Sequence, residues 1–174
     1  REDLFLLPTL LGLVQTTPEH HRGTFVELGA LDGISMSNTY MLEHCWHWRG
    51  LLIEAQPDNF RALNASVRNV TKVHSAVCQR EGSVHMTRAK GNFAAMADLK
   101  SIAPIFDPKW GLSKRAASSG TVNVPCKSLT QLMQDANLAH GADFLSLDVE
   151  GAEELVLSTV DPTLFGLILI EDTK

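Results

Sequence analysis

The 174-residue chain has few cysteines, no excess of positive charge and no long apolar run. Three cysteines are too few for a disulfide framework, although one pair can form. The net charge of −5 argues against nucleic acid as the main partner. The longest apolar stretch, residues 4–14, is interrupted by Pro8 and Gly12 and is too short to cross a bilayer. We therefore expect no membrane span and no signal peptide in this segment.

The composition is that of a globular chain. A hydrophobic content of 44% and a charged content of 20% exclude a disordered tail, a collagen-like fibre and a coiled coil. The length corresponds to a single domain, residues 1–174. Short apolar runs alternate with amphipathic stretches, which predicts right-handed β-α-β units. We therefore expect an α/β fold with a mostly parallel sheet and helices on both faces.

Local patterns predict where these elements lie. Strands are expected at residues 24–28, 51–54, 73–77, 144–148 and 167–171. Helices are expected at residues 34–46, 57–67, 129–136 and 152–160. In the second helix, Phe60, Leu63 and Val67 are spaced to share one apolar face.

Acidic residues stand at or beside the ends of four predicted strands: Glu27, Glu54, Asp148 and Glu171. In an open α/β sheet, ligands bind outside the carboxyl ends of the strands. These carboxylates are therefore expected to gather at a ligand crevice. The alternative is that each acid only caps the helix that follows it.

Residues 84–124 break the alternation. Between positions 88 and 121 there are six basic residues against two acidic ones. A long insertion at a crevice edge can form a substrate lid, and a solvated loop is the alternative. Its flanks, residues 83–87 and 121–125, could pair as strands.

The sharpest local pattern is the glycine turn after the first strand. Gly29 permits a tight bend, and Gly33 allows a helix to start beside a ligand. The turn lacks the G-x-G-x-x-G spacing of dinucleotide sites, and Glu27 would repel a pyrophosphate. A carboxylate there would instead pair with the ammonium group of an amino acid, such as the head of S-adenosylmethionine. The candidate contacts are Glu27, Gly29, Ala30, Asp32, Gly33 and Ser35.

The ends of the next strands complete this binding site. Glu54 fits a ribose-binding acid, because one carboxylate can accept hydrogen bonds from both ribose hydroxyls. The adenine is expected near Ala76, at the end of the third strand. Asp148 and Glu150 follow the fourth strand, where a carboxylate could take the proton of a hydroxyl acceptor or orient that acceptor. Alternatively, Glu150 only favours the N-terminus of the following helix.

The chain resembles an FkbM-type methyltransferase in five stretches, which occur in this order: FVELGALDG, GLLIEAQPDNF, VHSAVC, VPCKSL and FLSLDVEGAEELVL. The resemblance implies a class I Rossmann-like fold, S-adenosylmethionine as donor, and O-methylation of a small molecule or sugar. It places donor contacts at Glu27, Gly29, Gly33 and Glu54, and the active-site edge at Asp148 and Glu150. The last two strands of the seven-stranded class I sheet have no counterpart among the predicted elements.

Other interpretations remain open from the sequence. The fold could serve as a non-catalytic interaction module, and a nicotinamide-dependent oxidoreductase is a third class. The glycine turn also resembles that of catechol-type methyltransferases, in which acids comparable to Asp148, Glu171 and Asp172 hold a divalent metal. We predict no metal centre, and we interpret the segment from His44 to His47 as an ordinary helix face.

The compartment depends on the oxidation state of two cysteines. Cys78 and Cys126 border the insertion, and a bridge between them would join its ends. The cytoplasm is the default prediction. If the bridge forms, a secretory compartment becomes the better interpretation, and the acceptor patterns that begin at Asn64 and Asn69 become meaningful.

Overall fold

The computed structural model describes residues 22–87 and 121–171, together with Thr9 and Gly12. Within these residues the strands are β1 (Thr24–Leu28), β2 (Arg49–Glu54), β3 (Thr71–His74), β4 (Ala76–Val77), β5 (Gly82–Thr87), β6 (Thr121–Lys127), β7 (Ala142–Leu147) and β8 (Phe165–Ile170). The helices are α1 (Tyr40–Trp46), α2 (Pro57–Ala65), α3 (Leu129–Asp135) and α4 (Glu153–Leu157), with a 3-10 turn at Pro162–Leu164. Among the described residues, no helix has the length and apolar character needed to cross a membrane.

The main sheet has the strand order β3-β2-β1-β7-β8, and every neighbouring pair is parallel. Val26 of β1 lies opposite Leu51 of β2 and Leu145 of β7. The predicted α/β fold with a parallel sheet is therefore confirmed. Because the strands run in one direction, their carboxyl ends share a single edge.

Helices cover both faces of this sheet, and the strand residues alternate between two cores. On one face, Phe25, Leu52 and Phe144 pack with Leu42 of α1 and Leu63 of α2. The other face packs against α3 and α4 through Val26, Leu51, Leu145, Leu132 and Val156. Each fully buried side chain of this size contributes about 1.5–3 kcal/mol through the hydrophobic effect.

A second, three-stranded sheet has the order β4-β6-β5. The predicted pairing of the insertion's flanks is confirmed, since β5 and β6 are antiparallel with Val84 opposite Val124. A disulfide joins Cys78 to Cys126, with their Cα atoms 5.7 Å apart. Residues 88–120, which include most of the proposed lid, lie outside the described residues.

The first predicted helix is wrong over its N-terminal half, because α1 begins only at Tyr40. The Asp32 carboxylate accepts hydrogen bonds from the N–H groups of Ile34 and Ser35 at 2.8 and 2.7 Å. Short acidic side chains compete with a helix in this way. Met36 has a φ of 62°, which also lies outside the right-handed helical region.

Three further elements differ from their predicted bounds. Helix α2 ends at Ala65, and Val67 is 70% exposed instead of lying on an apolar helix face. The predicted strand 73–77 is split at Ser75, whose N–H group donates to the Glu54 carbonyl at 3.2 Å. There the chain leaves the main sheet for the second one. Helix α4 is also shorter at both ends than the predicted 152–160.

Candidate functional site

A cavity of about 320 Å³ lies at the carboxyl edge of the main sheet. It is lined by residues that end or follow β1, β2 and β7 and by residues of the second sheet, among them Ala76, Val77 and Met86. The structure brings together at this cavity the four acids placed there by the sequence: Glu27, Glu54, Asp148 and Glu171.

Gly29 joins the two halves of the site. Its φ is +77°, and a Cβ atom on it would lie 1.8 Å from the Asp148 carbonyl oxygen. Its N–H group donates to the Ile53 carbonyl at 3.1 Å, and the Asp148 N–H group donates to Leu28 at 3.3 Å. The ends of β1, β2 and β7 therefore touch through backbone atoms, and a larger residue would separate them.

The Glu27 carboxylate is buried and holds the segment before α1. It accepts hydrogen bonds from the Ser37 hydroxyl at 2.8 Å, the Thr39 hydroxyl at 2.6 Å and the Asn38 N–H group at 2.9 Å. Burial raises the pKa of Glu27, whereas the hydroxyls of Thr39 and Ser37 and the charge of Arg68 act to lower it. This acid therefore both lines the cavity and fixes the cavity wall.

Arg68 is the buried cation behind that wall. Its guanidinium lies 3.9 Å from the Glu27 carboxylate and forms an ion pair with Glu43. It also donates to the Gly33 carbonyl at 2.6 Å and to the Thr39 hydroxyl at 2.9 Å. Sequence reasoning missed Arg68, because a single basic residue between a helix and a strand gives no local signal of its partners.

Glu54 is held at the entrance to α2. Its two carboxylate oxygens accept hydrogen bonds from the N–H groups of Leu31 at 2.8 Å and Gln56 at 2.7 Å. Burial raises its pKa, and these N–H groups with the Asn59 side chain oppose that rise. Glu54 thereby connects the turn after β1 to the end of β2.

The remaining predicted donor contacts fall into two groups. Gly29, Ala30, Ser35 and Ala76 line the cavity, whereas Asp32 and Gly33 are not among the residues that line it. A Cβ on Gly33, whose φ is +78°, would lie 2.6 Å from the Leu63 side chain.

The expected helix N-terminus at this turn is wrong, because Asp32 and Glu27 already bind the N–H groups of Ile34, Ser35 and Asn38. Those groups are therefore not free to hold a ligand carboxylate. Ser35 also donates its hydroxyl to Asp32 at 2.8 Å.

A second group of acids stands at the β7 side of the cavity. Oxygen atoms of Asp148, Glu150 and Glu171 all lie within 4.8 Å of one another, and each residue is half-buried. Burial raises the pKa of Glu150, and the charges of Glu171 and Glu153 raise it further. Three carboxylates at this spacing could also hold a divalent cation, since Mg²⁺ and Ca²⁺ prefer oxygen ligands.

Glu150 takes the third place in this group. The sequence had suggested Asp172 for that place, and Asp172 lies outside the described residues. The prediction that the protein has no metal centre stays a prediction.

The backbone around Glu150 is fixed by Glu153. The Glu153 carboxylate accepts hydrogen bonds from the N–H groups of Val149 at 3.2 Å and Gly151 at 3.1 Å. Glu150 itself has a φ of 55°, in the left-handed region. The loop after β7 is therefore a defined turn that presents the Glu150 side chain to the cavity.

Ser146 lies on β7, opposite Glu27 of β1. Its side chain is buried, and its hydroxyl accepts a hydrogen bond from the Asn38 amide at 3.1 Å. This contact ties β7 to the same segment that Glu27 holds.

The cavity has a strongly one-sided charge. Its described lining includes five carboxylates, those of Glu27, Glu54, Asp148, Glu150 and Glu171, and no lysine, arginine or histidine. Opposing charge favours a cationic ligand, and like charge repels an anionic one.

Comparison with known families agrees with the resemblance carried by the motifs. The sequence matches the methyltransferase FkbM domain over residues 27–174, a stretch that includes all of the described residues that line the cavity. Searches of curated proteins and of solved structures give no significant match. With the parallel sheet, the glycine turn and the acids at its edge, the chain belongs to the FkbM methyltransferase family.

Proposed function

We propose that the protein binds S-adenosylmethionine and transfers its methyl group to a hydroxyl oxygen of a small molecule or sugar. The charge of the cavity carries this proposal. Five carboxylates line the cavity and its described lining includes no lysine, arginine or histidine, which suits a donor with a sulfonium and an ammonium group. The same lining disfavours the diphosphate of a nicotinamide dinucleotide.

The ammonium group, the ribose and the adenine of the donor each have residues suited to them. Glu27 Oε1 accepts one hydrogen bond, from Asn38, and a carboxylate oxygen has two lone pairs, so it can also receive an ammonium N–H. Glu54 is held by two backbone N–H groups and can accept from the ribose hydroxyls in the same way. The apolar patch of Ala76, Val77 and Met86 suits a purine ring.

When bound, S-adenosylmethionine supplies an electrophilic methyl carbon on sulfur. A hydroxyl acceptor attacks such a carbon well only if its proton is removed. We assign this proton to Glu150, whose raised pKa makes it a better base near neutral pH than an ordinary carboxylate. Asp148, beside it, orients the acceptor oxygen toward the methyl group.

Isothermal titration calorimetry with S-adenosylmethionine and with S-adenosylhomocysteine tests donor binding directly. We expect one binding site for each ligand and no heat from NADH at the same concentration. Matched variants are Glu54→Gln, in the cavity, and Glu154→Gln, on the exposed face of α4. Only the first is expected to weaken binding.

Absence of both heat and thermal stabilisation at saturating donor would refute the proposal. Tight binding without methyl transfer to any hydroxyl compound in an acceptor panel would favour a non-catalytic interaction module. The panel should include sugars and small alcohols, with methylated product detected by mass spectrometry.

A further inference from the structure

Asn69 begins an Asn-Val-Thr pattern in the connection between α2 and β3. Asn69 and Thr71 are both exposed, and the neighbouring Val67 is 70% exposed. A carbohydrate attached to asparagine is bulky and hydrated and needs open surface. The folded chain offers that surface at Asn69.

The backbone at this position is anchored from within. The Asn69 N–H group donates to the Glu43 carboxylate at 2.6 Å, and the preceding residue is the buried Arg68. Asn69 therefore presents an exposed side chain from a fixed backbone. A glycan attached to the Asn69 side chain would not have to displace packed side chains.

The connection that holds Asn69 also lies away from the cavity. It enters β3 at the amino end of the strand, whereas the cavity occupies the carboxyl edge of the sheet. Among the described residues, none of those lining the cavity falls between positions 60 and 74. A glycan at Asn69 leaves the cavity open.

The second observation is the oxidised cysteine pair. The bridge between Cys78 and Cys126 joins residues that are 48 positions apart. Structural disulfides form and persist in oxidising compartments and are rare in the cytosol. The eukaryotic secretory pathway is the oxidising compartment in which asparagine is glycosylated, so the bridge makes the exposed pattern meaningful.

A second acceptor pattern begins at Asn64, within the last turn of α2. There the Ser66 hydroxyl donates to the Leu63 carbonyl at 2.7 Å and is half-buried. The Asn69 pattern instead lies in a connection and the start of a strand, with its threonine exposed. Asn69 is therefore the better acceptor of the two.

From this combination we infer that Asn69 is an N-glycosylation site and that the chain matures in the secretory pathway. In the reaction, the Asn69 carboxamide nitrogen forms a bond to the anomeric carbon of a lipid-diphosphate oligosaccharide. The carbon–oxygen bond to the diphosphate breaks, the lipid diphosphate leaves, and the amide loses one proton. The inference does not depend on the proposed methyl transfer.

The test uses the full-length protein purified from its own cells. The protein is digested with a protease and treated with peptide N-glycosidase in heavy-oxygen water, and the peptide containing Asn69 is measured by mass spectrometry. We expect Asn69 to be converted to labelled aspartate. An unmodified Asn69 peptide, or a glycan on Asn64 alone, overturns the inference.

Variants secreted from a eukaryotic cell line test whether glycosylation depends on the Asn-Val-Thr pattern. Thr71→Ala and Asn69→Gln should each remove the glycan and its shift in gel mobility, whereas Thr71→Ser should retain it. Retention of the glycan in Asn69→Gln would overturn the assignment. In the purified native protein, denatured without reductant, only Cys45 should react with a thiol reagent, and three reactive thiols would contradict the assigned compartment.

Discussion

The two ends of the cavity hold their acids in different ways. Glu27 and Glu54 are 4% and 6% exposed, and both accept hydrogen bonds from backbone N–H groups. Asp148, Glu150 and Glu171 are half-buried and face one another. The first pair fixes the shape of the site before a ligand arrives, whereas the second group keeps charge repulsion that a bound cation or a proton can relieve.

The largest effect on stability should come from replacing Arg68, the buried cation beside Glu27. In Arg68→Met, Glu27 and Glu43 lose their buried partner, and we expect the free energy of unfolding to fall by about 3–5 kcal/mol. Urea denaturation followed by circular dichroism measures this change. Arg61→Met is the matched control, because Arg61 pairs with Asp58 at the surface of α2 and should lose about 0–1 kcal/mol.

Equal losses of unfolding free energy in the two arginine variants would show that the ion pairs of Arg68 with Glu27 and Glu43 do not fix this end of the cavity. The comparison between the two ends of the cavity would then lose its basis.

The next largest effect should be on turnover at the other end. We expect Glu150→Gln to lower kcat by about a hundredfold, because a general base contributes at least that much. The unfolding midpoint should not fall, since the described hydrogen bonds of this loop involve Glu153. A kcat equal to that of the wild type would move the base to Asp148 or exclude acid–base catalysis at this group.

A smaller effect is expected from replacing Glu54, which should change donor binding without changing turnover. Because Glu54→Gln loses the charge but keeps one oxygen, we expect the Kd for the donor to rise about tenfold, the equivalent of one charge-assisted hydrogen bond. At saturating donor, kcat should remain close to that of the wild type. Calorimetry and steady-state kinetics measure the two quantities, and a selective loss of kcat would contradict the division of roles.

The smallest effect should be a shift in the pH profile. Burial and the charges of Glu171 and Glu153 hold the pKa of Glu150 above the ordinary carboxyl value of 4.5, so kcat/KM, which reports groups of the free protein, should rise with pH through the raised value. Glu171→Gln removes one like charge and should move this rise to lower pH. An unchanged profile would show that Glu150 is not the titrating base.

The raised pKa of Glu150 favours activity as pH rises, but it lowers the stability of the folded state over the same pH range. Ionised Glu150 opposes the folded state, and this penalty is absent when the group is protonated in both the folded and the unfolded chain. Relative to Glu150→Gln, the wild type should therefore lose stability as pH rises through the interval above 4.5. Thermal melts of both proteins across this interval measure the difference.

The sequence predicted the parts of the site that depend on local pattern. The apolar strands, the acids at their ends and the glycine at position 29 are each visible within a few residues, and a parallel sheet brings them together. The close approach of Gly29 to the Asp148 carbonyl could not be read, because the sequence carries no distance between strands.

The errors arose where contacts between distant or neighbouring residues replace an expected regular element. Asp32 takes the N–H groups that a helix starting at residue 34 would have used, and the strand expected at 73–77 divides because Ala76 and Val77 pair with β6 instead of β2. Propensity favours a helix or a strand at these positions, and tertiary contacts outweigh it. Arg68 was invisible for the same reason, since its partners lie far away in the chain.

The bridge between Cys78 and Cys126 turns the intervening chain into a closed ring. Cutting any single peptide bond between these two positions would yield two fragments still joined through sulfur. Ala76 and Val77, just before the ring, would keep their covalent tie to β6. A protein cut at one such bond would therefore keep Ala76 and Val77, which line the cavity, joined to β6 until a reductant separates the two fragments.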